Sequence, residues 1–264
     1  MCFSFAEVAS AQFNKLAVSE PQKPKLAVFA SIYVPSDPNE PYLWQCTAPD
    51  VNQAGLNRAI LSIVPCPAFT TQNLVPLDEV TFSKPLRFKT LIVNRLSHFP
   101  VLPMIAKDFE SIQLTDLNLC SEQFEAFFTE CMQSQSLKKV RLSKTLITKN
   151  MRNAFHRRFF QNDLRSVAIT ECFVRTNDAE EGGREPFAMQ PAFVRNAIEH
   201  WVEAEEPRLE VLEVSTDGRV EIKQKRVTNV NTDARATLSI YKETFEAKHL
   251  ARLDFWKIRF ALAR

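Results

Sequence analysis

The sequence predicts an α/β fold in which parallel strands alternate with helices and a group of antiparallel strands closes the C-terminal end. Three observations lead to this prediction. A short apolar spacing recurs five times through the middle of the chain, and helices with capping residues can be placed between several of its copies. Residues 218–264 then alternate in part between apolar and polar positions, as strands do.

The recurring unit has the form apolar-x-x-apolar-x-apolar, and its anchors lie 21, 28, 27 and 45 residues apart. The five anchor residues are Phe88, Phe109, Leu137, Leu164 and Leu209. Leucine-rich repeats have periods of about 20 to 29 residues, so three of the spacings fit directly. The fourth fits if residues 173–190 form a loop insertion, which leaves 27 residues. We therefore predict an irregular leucine-rich-repeat-like array of parallel strands and helices.

Three helices are expected between these strands. Ser121 and Thr148 are suited to cap the first two, and Pro191 suits the first position of the third, which Pro207 follows. The residues expected to face the core are Phe124, Phe127, Phe128 and Cys131, then Met151, Phe155 and Phe159, then Phe193, Val194, Ala197, Ile198, Trp201 and Val202. Their spacing is that of one helix face.

The array is expected to span residues 80–217, with the loop insertion at 173–190. Residues 1–79 form an irregular N-terminal region, in which 25–34 is a predicted strand and 54–64 a predicted short helix that stops before Pro65. Residues 218–264 form a C-terminal β cap. The partly alternating stretches in it are 219–227, 236–242 and 251–260.

Composition argues against the commonest enzyme classes. The chain has only 4 glycines in 264 residues, and no glycine-rich phosphate loop can be written from them. The 6 cysteines are irregularly spaced without a CxxC pair, which predicts reduced, interior thiols rather than a zinc site or disulfides. The 4 histidines are isolated. We therefore predict no catalytic residues, no metal site and no cofactor.

The sequence also favours an intracellular chain, in the cytoplasm or the nucleus. The N-terminus lacks a basic start and carries Glu7, so it makes a poor secretory signal. Residues 59–77 are uncharged, but their prolines and polar residues spoil a spanning helix. We expect no membrane association.

The C-terminal third resembles a known family. An apolar helix with a tryptophan at 193–202 is followed by an acidic loop and a strand at 205–214, and the chain then has an Ala-Thr strand at 235–240 and an aromatic-Trp strand at 253–256. This arrangement is similar to the F-box-associated family expanded in nematodes, over about residues 86–260. The resemblance implies a leucine-rich-repeat-like module that recognises proteins for a cullin-type ubiquitin ligase. No F-box is identified in residues 1–50, so a ligase adaptor is an expected partner only if an undetected F-box is present.

The repeat pattern names a candidate binding face. Side chains alternate along a strand, so the residues beside the last two apolar positions of each unit point away from the core. The polar and charged members of this column are Thr90, Asn94, Ser111, Gln113, Thr115, Lys139, Arg141, Ser143, Ser166, Thr170, Glu213 and Ser215, and Ile92, Ala168 and Val211 complete it. A sheet with one solvated face has the same composition without any ligand, so this reading stays open beside the binding one.

A basic stretch at 131–162 contains no acidic residue. Besides Lys139 and Arg141, the cations of this basic patch are Lys138, Lys144, Lys149, Arg152, Arg157 and Arg158. One interpretation is a set of solvated helix faces that adjacent repeats partly neutralise. A second is a bipolar surface, formed with the acidic stretch at 176–217, that orients a partner protein. A third is a nucleic-acid site, which the core-facing spacing of Phe155 and Phe159 argues against.

The favoured function is non-catalytic protein recognition, with a substrate-receptor-like role and an unknown target protein. Two alternatives remain. One is a free-standing scaffold or interaction repeat protein without a ubiquitin role. The other is a nucleic-acid binder that uses the basic patch at 138–158, which we rank below both protein-binding readings because the net charge is only +2.

Overall fold

The computed structural model describes residues 29–37, 39–46, 59–66, 74–80, 86–96, 98–99, 102, 105–118, 121–161, 163–176, 183–217, 226–245 and 253–263. Its strands are β1 (Phe29–Val34), β2 (Leu43–Cys46), β3 (Ile60–Pro65), β4 (Val75–Pro76), β5 (Thr90–Asn94), β6 (Ser111–Thr115), β7 (Lys139–Ser143), β8 (Leu146–Ile147), β9 (Ser166–Thr170), β10 (Phe173–Arg175), β11 (Arg184–Pro186), β12 (Val211–Thr216), β13 (Arg226–Thr228), β14 (Arg235–Phe245) and β15 (Leu253–Leu262). The helices are α1 (Glu122–Gln133), α2 (Lys149–Phe160) and α3 (Pro191–Glu203), with a 3-10 turn at Leu77–Glu79.

Most of these strands form one large sheet, in the order β13-β14-β15-β12-β9-β7-β6-β5-β3-β1-β2-β4. Neighbours from β1 through β3, β5, β6, β7 and β9 to β12 are parallel. The strands at both ends of the sheet are antiparallel. The prediction of an α/β fold with parallel strands and a C-terminal antiparallel group is confirmed at this level.

The five predicted units lie side by side and in register. The second apolar residues of the units form one row across the sheet: Leu91, Ile112, Val140, Val167 and Leu212. Each of these side chains is no more than 2% exposed, so the row is core. The spacing in the sequence therefore marks equivalent positions on neighbouring strands.

The parallel part of the sheet also includes β1 and β3, which lie within the segment 1–79. The predicted strand at 25–34 is present as β1 over its described part. The predicted helix at 54–64 is wrong where the structure describes it, because Ile60–Pro65 is a strand. Leu61 and Ile63 alternate with half-buried neighbours, and short apolar runs of this kind do not distinguish a strand from a helix.

Four strands of the array end in the same way. The residue that follows β5, β6, β7 and β9 has a positive φ of 51–55°, a conformation that glycine favours and that is uncommon for other residues. These four residues are Arg95, Asp116, Lys144 and Glu171. Their charges alternate in sign from strand to strand, and they pair across the sheet at 3.2 Å (Arg95 to Asp116) and 4.0 Å (Lys144 to Glu171). A chain poor in glycine thus repeats one turn with charged residues.

The next residue in two of these turns is held by its side chain. The Thr145 hydroxyl donates to the Ser143 carbonyl at 2.9 Å, and the Cys172 thiol donates to the Thr170 carbonyl at 3.4 Å. A hydroxyl in one unit and a thiol in another therefore hold equivalent turns. Both side chains are buried.

All three predicted helices are confirmed. The Ser121 hydroxyl accepts from the Phe124 amide at 3.2 Å, and the Thr148 hydroxyl accepts from the Met151 amide at the same distance. Pro191 is the first residue of α3. Each cap satisfies an amide that the first turn of a helix leaves without a partner. None of the described helices is both long enough and apolar enough to cross a membrane.

The helices pack on one face of the sheet. Their inward residues form a single core with the inward residues of the strands. Phe99 lies 4.9 Å from Phe124 and 4.8 Å from Phe127, measured between ring centres, which fixes α1 over the array. Trp201 of α3 meets Phe260 of β15 edge-on at 5.0 Å. The opposite face of the sheet carries no described helix.

The segment 173–190 differs from the predicted loop. Its ends form β10 and β11, which join β8 in a small separate sheet, while residues 177–182 lie outside the described residues. Sequence periodicity cannot detect strands of three residues, because two residues on one face are too few to show alternation.

Candidate interaction surface

The outward side chains of the large sheet form an accessible surface, which we call the open face. Along β5 and β6 half-buried residues alternate with buried ones, and along β7 the outward residues Lys139 and Arg141 are exposed. The buried set packs against the helices, so the accessible set points away from them. The alternation that predicted a binding face is therefore present in the structure.

The predicted binding-face residues lie at outward positions of five adjacent strands. In register across the sheet, one row is Thr90, Ser111, Lys139, Ser166 and Val211, the next is Ile92, Gln113, Arg141, Ala168 and Glu213, and the third is Asn94, Thr115, Ser143 and Thr170. Ser215 is the next outward residue of β12 after Glu213. Most are half-buried or exposed, whereas Ala168 is only 9% exposed. That these positions bind a partner stays a prediction.

The open face continues past β12 onto strands that the sequence pattern does not connect to it. Strand β15 pairs antiparallel with β12, and this places Arg259 directly opposite Glu213. Strand β14 follows β15, and β13 follows β14. Their outward cations are Lys257, Arg259, Arg235 and Arg226. The Lys257 ammonium lies 3.7 Å from the Glu213 carboxylate.

The predicted basic patch is not one surface. Lys139 and Arg141 lie on the open face, whereas Lys149, Arg152 and Arg157 belong to α2 on the other side of the sheet. Because the strand and the helix lie on opposite sides of one core layer, a flat ligand cannot contact both groups at once.

Several members of the patch already have partners. Arg152 pairs with Glu185 at 2.7 Å, Lys144 pairs with Glu171, and the Lys138 ammonium donates to the Gln135 carbonyl at 3.0 Å. These contacts agree with the interpretation in which adjacent units neutralise part of the charge.

Arg158 corrects the prediction most clearly. As a cation of the predicted basic patch it is expected on a solvated helix face, but it is 3% exposed. Its guanidinium donates to the Leu137 carbonyl at 2.9 Å and to Gln161 Oε1 at 2.7 Å, and it lies 3.6 Å from the Asp163 carboxylate. The sequence shows only that Arg158 belongs to a basic stretch. It does not show that the side chain joins α2 to the residues just before β7.

The described cysteines differ in burial, so we expect them to differ in reactivity toward a thiol reagent. Burial raises the pKa of the Cys172 thiol to about 11 and that of Cys131 further, so both stay protonated near neutral pH. Cys46 and Cys66 are half-buried, and Cys2 and Cys120 lie outside the described residues. We expect iodoacetamide at pH 8 to modify Cys46 and Cys66 in the native chain and to spare Cys131 and Cys172, as mass spectrometry of the digest measures. Equal modification of all four before denaturation would contradict this burial.

His156 yields a second prediction, because its pKa lies below its ordinary value of 6.5 through burial and the nearby Arg152 charge. It packs against Phe187 at 5.7 Å and against Phe193 at 6.1 Å, so protonation is disfavoured in the folded chain. Since the unfolded chain then binds the proton more readily, stability falls as the pH drops through 6.5. We expect His156→Phe to remove this part of the decline in denaturant titrations between pH 7.5 and about pH 5. An unchanged slope in the variant would show that His156 does not contribute.

A cavity of about 250 Å³ lies between the C-terminal ends of α2 and α3. Phe159, Leu164 and Trp201 line it. Asp163 and Arg208 also line it, and the Asp163 carboxylate lies 3.4 Å from the Arg208 guanidinium. The Trp201 indole N–H is buried without a hydrogen-bond acceptor among the described residues. The cavity is a recess in the helix layer, separate from the open face.

The described residues show no grouping of three or more His, Cys, Asp or Glu side chains able to hold a metal ion. The outward side chains of the open face offer hydroxyl, amide and guanidinium groups. Among the described outward positions of the strands from β5 to β13, the acidic residue is Glu213. Groups of this kind bind a partner by hydrogen bonds and charge.

Comparison of the chain with protein-family models, with curated proteins and with solved structures finds no match.

Proposed function

We propose that this protein is a non-catalytic protein-recognition module that binds its target on the open face. In this proposal the parallel array is a leucine-rich-repeat-like scaffold, and its stacked outward residues form the binding surface. The module serves as the substrate-receptor part of a cullin-type ubiquitin ligase, as its resemblance to the nematode F-box-associated family implies.

The observation that carries the proposal is the register of the open face. Five units place equivalent outward residues at neighbouring positions, about 4.8 Å apart from strand to strand. Nine of the fifteen outward positions are Ser, Thr, Asn or Gln, and each offers a donor, an acceptor or both. A continuous, rigid and polar surface suits recognition of another protein, because little conformational entropy is lost when it binds.

Repetition at the strand ends supports the repeat-like character of the scaffold. The amide of the residue that precedes each of β6, β7, β9 and β12 donates to a carbonyl just before the neighbouring strand, at 2.6–2.8 Å. Together with the four positive-φ turns, these contacts give successive units the same entry and the same exit. A repeat scaffold is built in this manner from nearest-neighbour contacts.

Site-specific crosslinking tests the proposal. A photoreactive benzophenone amino acid is placed at Gln113 on the open face, and in a control at Arg157 on the exposed side of α2. After illumination in an extract, we expect a discrete protein adduct from position 113 that is absent from position 157. No adduct at 113, or the same adducts from both positions, would contradict recognition on the open face.

A purified ligase adaptor separates the receptor role from the scaffold alternative. Co-purification of the adaptor with the full chain supports the receptor role. If an adduct forms at position 113 but the adaptor does not bind, the module recognises proteins as a free-standing scaffold instead.

A further inference from the structure

The open face has two halves of different chemistry. The basic half comprises the outward side chains of β7, β9, β12, β15, β14 and β13, and its described cations are Lys139, Arg141, Lys257, Arg259, Arg235 and Arg226. Glu213 is the acidic residue among its described outward side chains. The whole chain carries only +2, so this face holds far more positive charge than the composition suggests.

Most of this charge is not neutralised within the described residues. Lys257 pairs with Glu213, and both side chains are largely shielded, at 15% and 23% exposure. By contrast, Lys139, Arg141 and Arg259 are exposed and form no ion pair with an acidic residue in the described part of the chain. Unpaired cations on a rigid surface attract a negatively charged partner and fix its position.

The neutral half comprises the outward side chains of β1, β3, β5 and β6. It carries no charged residue at its described outward positions, and it exposes apolar groups. Phe29 is 38% exposed, and Ile60, Val64 and Ile92 are half-buried. These side chains lie in register with the neighbouring strands, so the neutral half is continuous with the basic half.

We propose that the open face binds an extended segment of a protein partner in which acidic residues lie over the basic half and apolar residues lie over the neutral half. This inference rests on the proposed recognition function and specifies the chemistry of the target. The segment crosses the strands, because the change from neutral to basic runs from strand to strand and not along any one of them.

The length of the segment follows from the sheet. Six steps of about 4.8 Å separate β3 from β15, which makes about 29 Å. An extended chain advances about 3.3 Å per residue, so about nine residues span this distance. A segment of this length places several acidic residues within reach of Arg141 and Arg259 together with apolar residues near Ile92.

A nucleic acid fits this surface less well. Its phosphates repeat along the whole strand and need cations throughout, whereas the neutral half has none at its described outward positions. Stacking on bases requires aromatic side chains among the cations. Tyr241, which pairs with Lys257, is the one exposed aromatic residue among the described side chains of the basic half, and Phe29 lies far from it on β1. The cations therefore lack the series of aromatic side chains on which successive bases stack.

Fluorescence anisotropy with the full chain tests the inference. Two fluorescein-labelled peptides of about twelve residues serve as probes. One has three Glu-Ser pairs followed by three Leu-Ser pairs, and the other has the two blocks in the reverse order. Alternate residues of an extended chain point to the same side, so Glu and Leu face the sheet together. Comparison probes carry Lys in place of Glu, or are an oligouridine of the same length. We expect the acidic peptide with one of the two block orders to bind at low ionic strength, with an affinity that falls as the salt concentration rises.

Matched charge reversals locate the binding. The open-face variant is Arg141→Glu with Arg259→Glu, and the control is Lys149→Glu with Arg157→Glu on α2. Both change the net charge equally. We expect the open-face variant to weaken binding of the acidic peptide by about tenfold or more, and the control by less than about twofold.

Each remaining outcome overturns the inference. Acidic peptides that fail to bind, equal weakening by both variants, or tighter binding of the oligouridine than of either acidic peptide would each contradict it. An unchanged thermal melting curve shows that a variant has folded. If the peptide test fails while the adduct at position 113 persists, the charge inference is wrong and protein recognition stands. Loss of the adduct rejects the recognition function itself.

Discussion

Replacing Asn229 by Leu is expected to lower the free energy of unfolding by about 3 to 5 kcal/mol, because this residue joins the C-terminal end of α3 to the turn between β13 and β14. Its side chain is fully buried. The amide group donates to the Trp201 carbonyl at 2.6 Å and to the Ala204 carbonyl at 2.8 Å. Its oxygen accepts from the backbone amides of Asn231 and Thr232 at 3.0 and 2.8 Å.

Leucine has a similar size but cannot form any of these hydrogen bonds. Two helix carbonyls and two turn amides then lose their protein partners, and each such loss in a buried site costs about 1 to 3 kcal/mol. Urea titration measures the change. Asn231→Ala is the control, because the Asn231 side chain makes one exposed hydrogen bond, to the Glu203 carbonyl. A loss below about 1 kcal/mol for Asn229→Leu would contradict this role.

Replacing Arg158 by Met is expected to lower the free energy of unfolding by about 2 to 4 kcal/mol. The guanidinium is buried, and it satisfies the Leu137 carbonyl at the start of the unit that contains β7. It also holds Gln161 and Asp163 at the end of α2. Methionine keeps the apolar stem but leaves these acceptors without that donor.

Arg157→Met is the matched control, since it removes the same group from the neighbouring exposed position. We expect it to change stability by less than about 0.5 kcal/mol. Denaturant titration of both variants separates structural from surface cations in the basic patch. Similar losses for the two would show that the burial of Arg158 is not what matters.

Sequence periodicity identified five of the seven parallel strands because their anchor residues are large and apolar. In β1 and β3 the equivalent anchor positions, three residues before Ala30 and Leu61, are Ala27 and Arg58, so the pattern is too weak to recognise. The helices were predictable for a different reason. Their N-terminal residues are short-range signals: Ser121 and Thr148 cap α1 and α2, and Pro191 begins α3, each as expected.

The basic half of the open face was not predictable from the sequence. Alternation along 251–260 shows that Lys257 and Arg259 share a face, but it does not show which strand lies beside them. The final strand inserts between β12 and β14, a non-local pairing that no local pattern reports. By contrast, the alternating charges at Arg95, Asp116, Lys144 and Glu171 recur seven residues after each of the first four anchors, and this signal was present in the sequence.

The direction and register of neighbouring strands determine the open face, and disulfide trapping tests both. Thr115 pairs with Ser143 across β6 and β7, whereas Lys139 lies at the other end of β7. We expect Thr115→Cys with Ser143→Cys to form a disulfide on mild oxidation, because paired Cα atoms lie about 5 Å apart. Thr115→Cys with Lys139→Cys is expected to stay reduced. A disulfide in the second pair but not the first, identified by mass spectrometry of the digest, would mean that the strands are antiparallel and that the open face does not exist as described.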